Sequence, residues 1–188
     1  MPVSRSALRR RLRTWQPHWR GGPASVLLVP VPEAAVVHAR WPGERDHVGV
    51  PGLPLHVTVL YPFLKPSMID HRVEDELQQV ASSHGAFEYS LSGLGRLPGV
   101  LYMSVSPGDR FVELTQAVHD RWPTHPPYAG AYEEILPHVT LALGDEPPDL
   151  VAALEAELPI KAVARELVLL TKRADGVWAP WATFALGQ

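Results

Sequence analysis

The stretch Leu53-Pro54-Leu55-His56-Val57-Thr58-Val59 recurs as Ile135-Leu136-Pro137-His138-Val139-Thr140-Leu141, with the two histidines 82 residues apart. With nine His and seven Thr in 188 residues, chance supplies about 0.3 His-x-Thr tripeptides, so one copy carries little weight. Two copies, each followed by aliphatic residues at alternating positions, are harder to dismiss. Successive side chains on a strand point to opposite faces. His56 and Thr58 therefore share one face while Val57 and Val59 share the other, and His138 and Thr140 stand in the same way over Val139 and Leu141. Each copy presents an imidazole and a hydroxyl to a cleft and anchors itself to a core through its aliphatic side.

Working outward, the chain alternates short elements. Ala24 to Val31 reads as a buried strand, Glu33 to Trp41 as a short helix opened by Pro32, and Leu55 to Tyr61 as a strand closed by Pro62. Asp70 to His84 is the clearest helix, with Ile69, Val73, Leu77 and Val80 on one stripe, Asp70 as its cap and Gly85 at its end. Phe87 to Leu97 and Val100 to Ser106 form a hairpin through Pro98-Gly99, and Asp109 to Trp122 a helix. His138 to Leu143 is a strand, Pro148 to Leu158 a helix, and Val163 to Thr171 with Val177 to Leu186 a last hairpin turned at Ala174-Asp175-Gly176. Strand, helix and hairpin follow in one order twice, which points to two similar lobes, one tetrad in each.

Composition agrees with this α+β reading. The chain is 46% hydrophobic and 20% charged, which excludes a disordered or fibrous protein, and its 14 Gly and 20 Pro favour many short elements over long helices. Cys is absent, which removes disulfides, thiolate zinc sites and cysteine nucleophiles. The net charge of -3 hides an asymmetry: residues 1–20 hold six Arg and no acid, leaving 11 basic against 20 acidic residues, a net -9, on the rest. We read residues 1–23 as a basic arm that either touches RNA phosphates or is a solvated or lobe-packing helix, and 24–188 as one bilobal domain. Pro30 and Pro32 interrupt the apolar run after the arm and no stretch reaches membrane-spanning length, so the expectation is a cytoplasmic monomer.

If the lobes pair about a pseudo-twofold axis, two imidazoles and two hydroxyls converge on one cavity. One His can accept a proton from a nucleophile while the other donates one to a leaving oxygen. Thr hydroxyls donate hydrogen bonds to non-bridging oxygens and stabilise charge as it develops. Metal-free phosphodiester cleavage suits this set and calls for no cofactor. His125 and Asp145 beside His138 are the nearest approach to a zinc site, but four ligands at recognisable spacing are absent.

At these residues the sequence resembles the 2H phosphoesterase superfamily, whose signature is two His-hydrophobic-Thr-hydrophobic tetrads; here they are His56-Val57-Thr58-Val59 and His138-Val139-Thr140-Leu141. The resemblance implies an α+β, bilobal fold of two pseudo-twofold-related antiparallel sheets with flanking helices around a central cleft. It also implies action on 2',3'-cyclic phosphate ends of RNA or small cyclic nucleotides, with reversible 2'-5' RNA ligation as a related activity. The alternative is a nucleotide or RNA end-binding module with little turnover. Where bacterial RNA phosphodiesterases of this group carry Arg shortly after the second tetrad, this chain has Ala142, Leu143 and Gly144, so Arg96, Lys172 and Arg173 become the candidate phosphate partners. Tyr61 matches the aromatic after the first tetrad and either stacks a base or packs in the core before Pro62. Tyr102 is a further candidate facing the cleft. The loop Tyr128-Ala129-Gly130-Ala131-Tyr132 is a candidate lid, and Trp178 and Trp181 are read as sheet packing in preference to a nucleobase platform.

Overall fold

The computed structural model describes residues 24–38, 50–131, 134–143 and 148–187. The basic arm, the end of the first expected helix, Tyr132, Gly144 and Asp145 lie outside them.

Apolar and β-branched runs become eight strands: β1 (Ser25–Pro30), β2 (His56–Leu60), β3 (Phe87–Leu97), β4 (Val100–Ser106), β5 (His138–Leu143), β6 (Ile160–Ala164), β7 (Glu166–Lys172) and β8 (Trp178–Ala185). All neighbours pair antiparallel in the order β6-β3-β4-β5-β2-β1-β7-β8. That order reads symmetrically outward from the β2–β5 junction, where the two four-stranded halves meet through Val57 opposite Val139. The α+β antiparallel architecture agrees with expectation, and the junction joins its two halves into one continuous sheet.

The last expected hairpin differs. Val163 to Thr171 is two strands, not one: β6 pairs with β3 at one edge, while β7 pairs with β1 six places along the order. The only residue between them is Arg165. Six strand spacings of about 4.8 Å amount to roughly 29 Å in a flat sheet, far beyond one residue's reach. The sheet must therefore curl until its outer strands come together, and the run shows no Gly or Pro to announce the break.

Helices α1 (Ala35–His38), α2 (His71–Ser83), α3 (Asp109–Arg121) and α4 (Pro148–Glu155), with short 3-10 turns at Pro32–Ala34, Pro66–Met68 and Pro127–Gly130, complete the described elements. The Asp70 carboxylate caps α2 by accepting from the Val73 amide at 3.1 Å, which satisfies one orphan donor of the first turn. The α2 stripe buries Leu77, Val80 and Ala81, and α3 buries Phe111, Leu114 and Val118. Helix α2 packs on β8 and α3 on β2. The main core holds Leu27, Val29, Val57, Val59, Val139 and Leu169, inward residues of the four neighbouring strands β1, β2, β5 and β7. A smaller cluster of Val26, Leu28, Leu53, Tyr61, Val168, Leu170 and Trp178 covers part of the second face. Gly52 makes this cover possible: its φ of +77° suits glycine, and a Cβ there would strike the Trp178 carbonyl. The Trp178 amide donates to the Pro51 carbonyl at 2.9 Å, tying the loop before β2 onto β8.

Candidate active site

Residues directly opposite one another on paired strands project from the same face. With Val57 opposite Val139, the antiparallel register one residue to either side sets His56 against Thr140 and Thr58 against His138. The four polar tetrad residues thus form a two-by-two array on the second face, each His beside the other strand's Thr. The aliphatic members, Val57, Val59, Val139 and Leu141, are buried in the main core.

Each imidazole is oriented in the same way. His56 Nδ1 lies 2.7 Å from the Pro54 carbonyl, and His138 Nδ1 lies 2.7 Å from the Leu136 carbonyl. A carbonyl only accepts, so Nδ1 donates in both rings and Nε2 is the acceptor of the neutral imidazole. Thr58 Oγ1 stands 3.1 Å from His56 Nε2, to which its hydroxyl donates. His56 is only 4% exposed, and burial pushes its pKa down to about 4, helped by repulsion from His138 and opposed by the Pro54 carbonyl. Burial also lowers His138, against the opposing effect of the Leu136 carbonyl. The array is electrically neutral at pH 7 and close-set, which suits proton exchange with an anionic ester.

Tyr102 lies on the tetrad face. It pairs with Thr140 on one side and Gly95 on the other, and its ring meets His138 edge-on with centroids 5.2 Å apart at 62°. Gly95 makes room for that ring, since a Cβ there would collide with it. Ser104, opposite both His138 and Gly93, adds a hydroxyl position to the same face that sequence reading missed. The alternation Gly93-Leu94-Gly95 was its available signal, because glycine inside a strand often marks a surface left open for a ligand or ring.

Other candidates are placed elsewhere. Arg96 pairs with Leu101, a core residue, so it projects from the face opposite Tyr102, and strand alternation keeps it from the tetrads. Arg173 sits in the β7–β8 turn, where it pairs with Asp175 at 3.4 Å. It lies five residues along β7 from Val168, roughly 16 Å, and is not brought to the array. Lys172, opposite Trp178, shares the tetrad face but at that same far end of β7. Tyr61 is 4% exposed with its ring 6.3 Å from Trp178, so the structure assigns it to packing and not to a face open for stacking. Trp178 is buried, as expected for sheet packing, while Trp181 is 46% exposed and donates Nε1–H to Glu74 Oε1 at 2.8 Å. The Tyr128 amide donates to the Tyr61 carbonyl at 2.8 Å, which fastens the loop before the second tetrad to the end of β2. Tyr128 and Ala129 there hold φ of 53° and 54°, a left-handed region uncommon for residues with a Cβ. Among the described residues no three His, Cys, Asp or Glu side chains gather as a metal would require, and no helix is long and apolar enough to cross a membrane.

Comparison with known proteins bears on the same segments. No curated protein matches the chain. Among solved structures, E. coli LigT complexed with 3'-AMP superposes with a TM-score of 0.56 at 17% identity, covering 89% of this chain and all of its own. LigT complexed with NADP+ gives 0.56 at 19%, over 88% of this chain and 98% of that one. TT0787 of Thermus thermophilus gives 0.59 at 20%, over 88% and 99%. These identities speak for the fold alone. The sequence profile of the 2'-5' RNA ligase superfamily matches residues 29–176, a span that holds both tetrads, and on that match the chain belongs to the 2'-5' RNA ligase superfamily, with a 2H phosphoesterase fold.

Proposed function

We propose that the chain is a metal-independent phosphodiesterase that opens 2',3'-cyclic phosphates on nucleotides or RNA ends and can carry out the related, reversible 2'-5' RNA ligation. The observation that carries this reading is the β2–β5 register, which sets each His against the other strand's Thr on one face. Family membership supports phosphoesterase chemistry in general; the tetrad geometry supports the finer assignment.

In the hydrolytic direction water attacks phosphorus and one imidazole accepts its proton at Nε2. The bond from phosphorus to one ribose oxygen breaks, and the other ring, entering as imidazolium, gives that oxygen its Nε2 proton. The product is a phosphomonoester, a 2'-phosphate where the 3' oxygen leaves, and exchange with solvent resets the two rings. The Pro54 and Leu136 carbonyls keep Nδ1 protonated and so hold Nε2 toward the reaction in both rings. The Thr58 hydroxyl, which donates to His56 Nε2, turns to a non-bridging oxygen when phosphate arrives, and Thr140 serves from the facing strand.

The test is a panel of nucleoside 2',3'-cyclic phosphates, a cyclic-phosphate-ended RNA and a 2'-5' linked oligonucleotide, read for new phosphomonoesters. His56→Ala and His138→Ala should each lower turnover on the best substrate by at least about 100-fold, the scale of one general acid or base. Near wild-type activity in either variant refutes the two-imidazole mechanism. Tight binding without turnover across the panel leaves an end-binding module instead.

A further inference from the structure

A cavity of about 470 Å³ opens beside the tetrads, within the size range of small-molecule sites. Its floor is the same sheet face. Leu28 pairs with Thr58 on one side and Val168 on the other, Val168 pairs with Thr183, and Pro30 pairs with His56. Leu28, Pro30, Val168 and Thr183 all line the cavity, as does Pro54, whose carbonyl orients His56. Val168 lies two strands from Thr58, about 10 Å, and Leu28 between them is fully buried, so a phosphorus held by the tetrads would send one ester arm into this space past the exposed Pro54. Among the described residues the lining is apolar except for Glu166 and Thr183 and includes no Lys or Arg. A carboxylate in an apolar wall disfavours a second anion and favours a donor such as an amine or hydroxyl.

We infer that this cavity is the subsite for the organic arm of the phosphodiester, and that it selects an uncharged arm, the nucleoside of a mononucleotide cyclic phosphate, over an arm bearing a further phosphate, as in an RNA chain. The inference rests on the phosphodiesterase reading and adds to it the substrate class: one phosphate per ligand, held by the tetrads, with a neutral apolar body over β1 and β7. Glu166 is the residue that discriminates.

Binding tests the subsite independently of turnover. Adenosine 2'-phosphate and adenosine 2',5'-bisphosphate are titrated into the full chain, with amide shifts and Kd as readouts. The monophosphate should shift the amides of Val168, Leu170 and Thr183 together with those of the tetrads, and the bisphosphate should bind at least about tenfold more weakly, the scale of one unfavourable charge contact in a partly buried site. Glu166→Gln should bring that ratio toward one, and Thr183→Glu, at an exposed position, should widen it. Shifts confined to the tetrads and β4, or a ratio near one that neither variant moves, would overturn the inference. If no cyclic phosphate is hydrolysed while the shifts and the ratio appear as stated, the phosphodiesterase reading fails and the subsite stands. If cyclic phosphates are hydrolysed and the cavity amides stay still, the reverse holds.

Discussion

The pH dependence of kcat/KM should form a bell on the acid side of neutrality, displaced from the unperturbed histidine value near 6.5. The proposed acid–base mechanism needs one proton shared between His56 and His138. The state with one proton peaks midway between the two pKa values, whichever ring acts as acid. His56 is held down to about 4 and His138 below its usual 6.5, so the midpoint lies at or below about 5. At pH 7 at most about a quarter of the free protein carries that proton. A bound phosphodiester anion changes the balance, because a negative charge about 4 Å from an imidazolium at an effective dielectric near 20 stabilises it by up to about 4 kcal/mol, roughly 3 pH units. The bell for kcat should therefore move up toward neutrality. Measuring kcat and kcat/KM separately from about pH 4 to 9 at constant ionic strength checks both limbs, and NMR titration of the free protein locates the two rings. His138→Gln should let His56 titrate higher, since repulsion from His138 is one of the causes that hold it down. A kcat/KM profile peaking above about pH 6.5, or rising steadily with pH, would refute the argument from burial.

Four further outcomes follow from the same geometry. Thr58→Ala and Thr140→Ala should each cost some 2 to 4 kcal/mol of transition-state stabilisation in kcat/KM while Thr→Ser retains most activity, and a trapped phosphothreonine would overturn the donor role. Folding stability should fall between pH 6.5 and 4: the folded pKa of His56 lies below its unfolded value, so the unfolded chain binds the proton first, and the loss reaches about 3 kcal/mol at full protonation. Urea melts of the wild type and His56→Gln compared across that window should show the variant losing this slope. Gly95→Ala should displace the Tyr102 ring from His138 and lower kcat more than it raises KM, and an unchanged His138 titration in that variant would contradict the ring contact. Activity should survive EDTA, and a loss that zinc or manganese restores would argue for a metal-assisted route.

Local chemistry made much of this protein legible in its sequence. The Asp70 cap and its apolar stripe mark α2, Pro98-Gly99 marks the β3–β4 turn, and alternation within each tetrad decides which residues face the core and which face away from it. All of these depend on neighbours a few residues apart, where the period of a helix or strand is written directly into side-chain type. Arg165 shows the limit: a single residue separates two strands that lie at opposite sides of the sheet order, and nothing in the run Val163 to Thr171 reveals the break. The same holds for the candidate cations. Arg96 and Arg173 are plausible by charge alone, but the pairing of Arg96 with Leu101 turns it to the other face, and the turn position of Arg173 carries it beyond reach. Tyr61 joins the Trp178 cluster because β2 shifts register against β1 between Leu27 and Leu28, an irregularity set by the partner strand. The sequence by itself determined the two tetrads and the face of each strand that carries their polar residues, because side-chain alternation is local. Tertiary structure alone decided that β2 and β5 meet at Val57 and Val139, which neighbours flank the array, and how deeply each imidazole is buried, because strand register and desolvation depend on residues far apart in the chain.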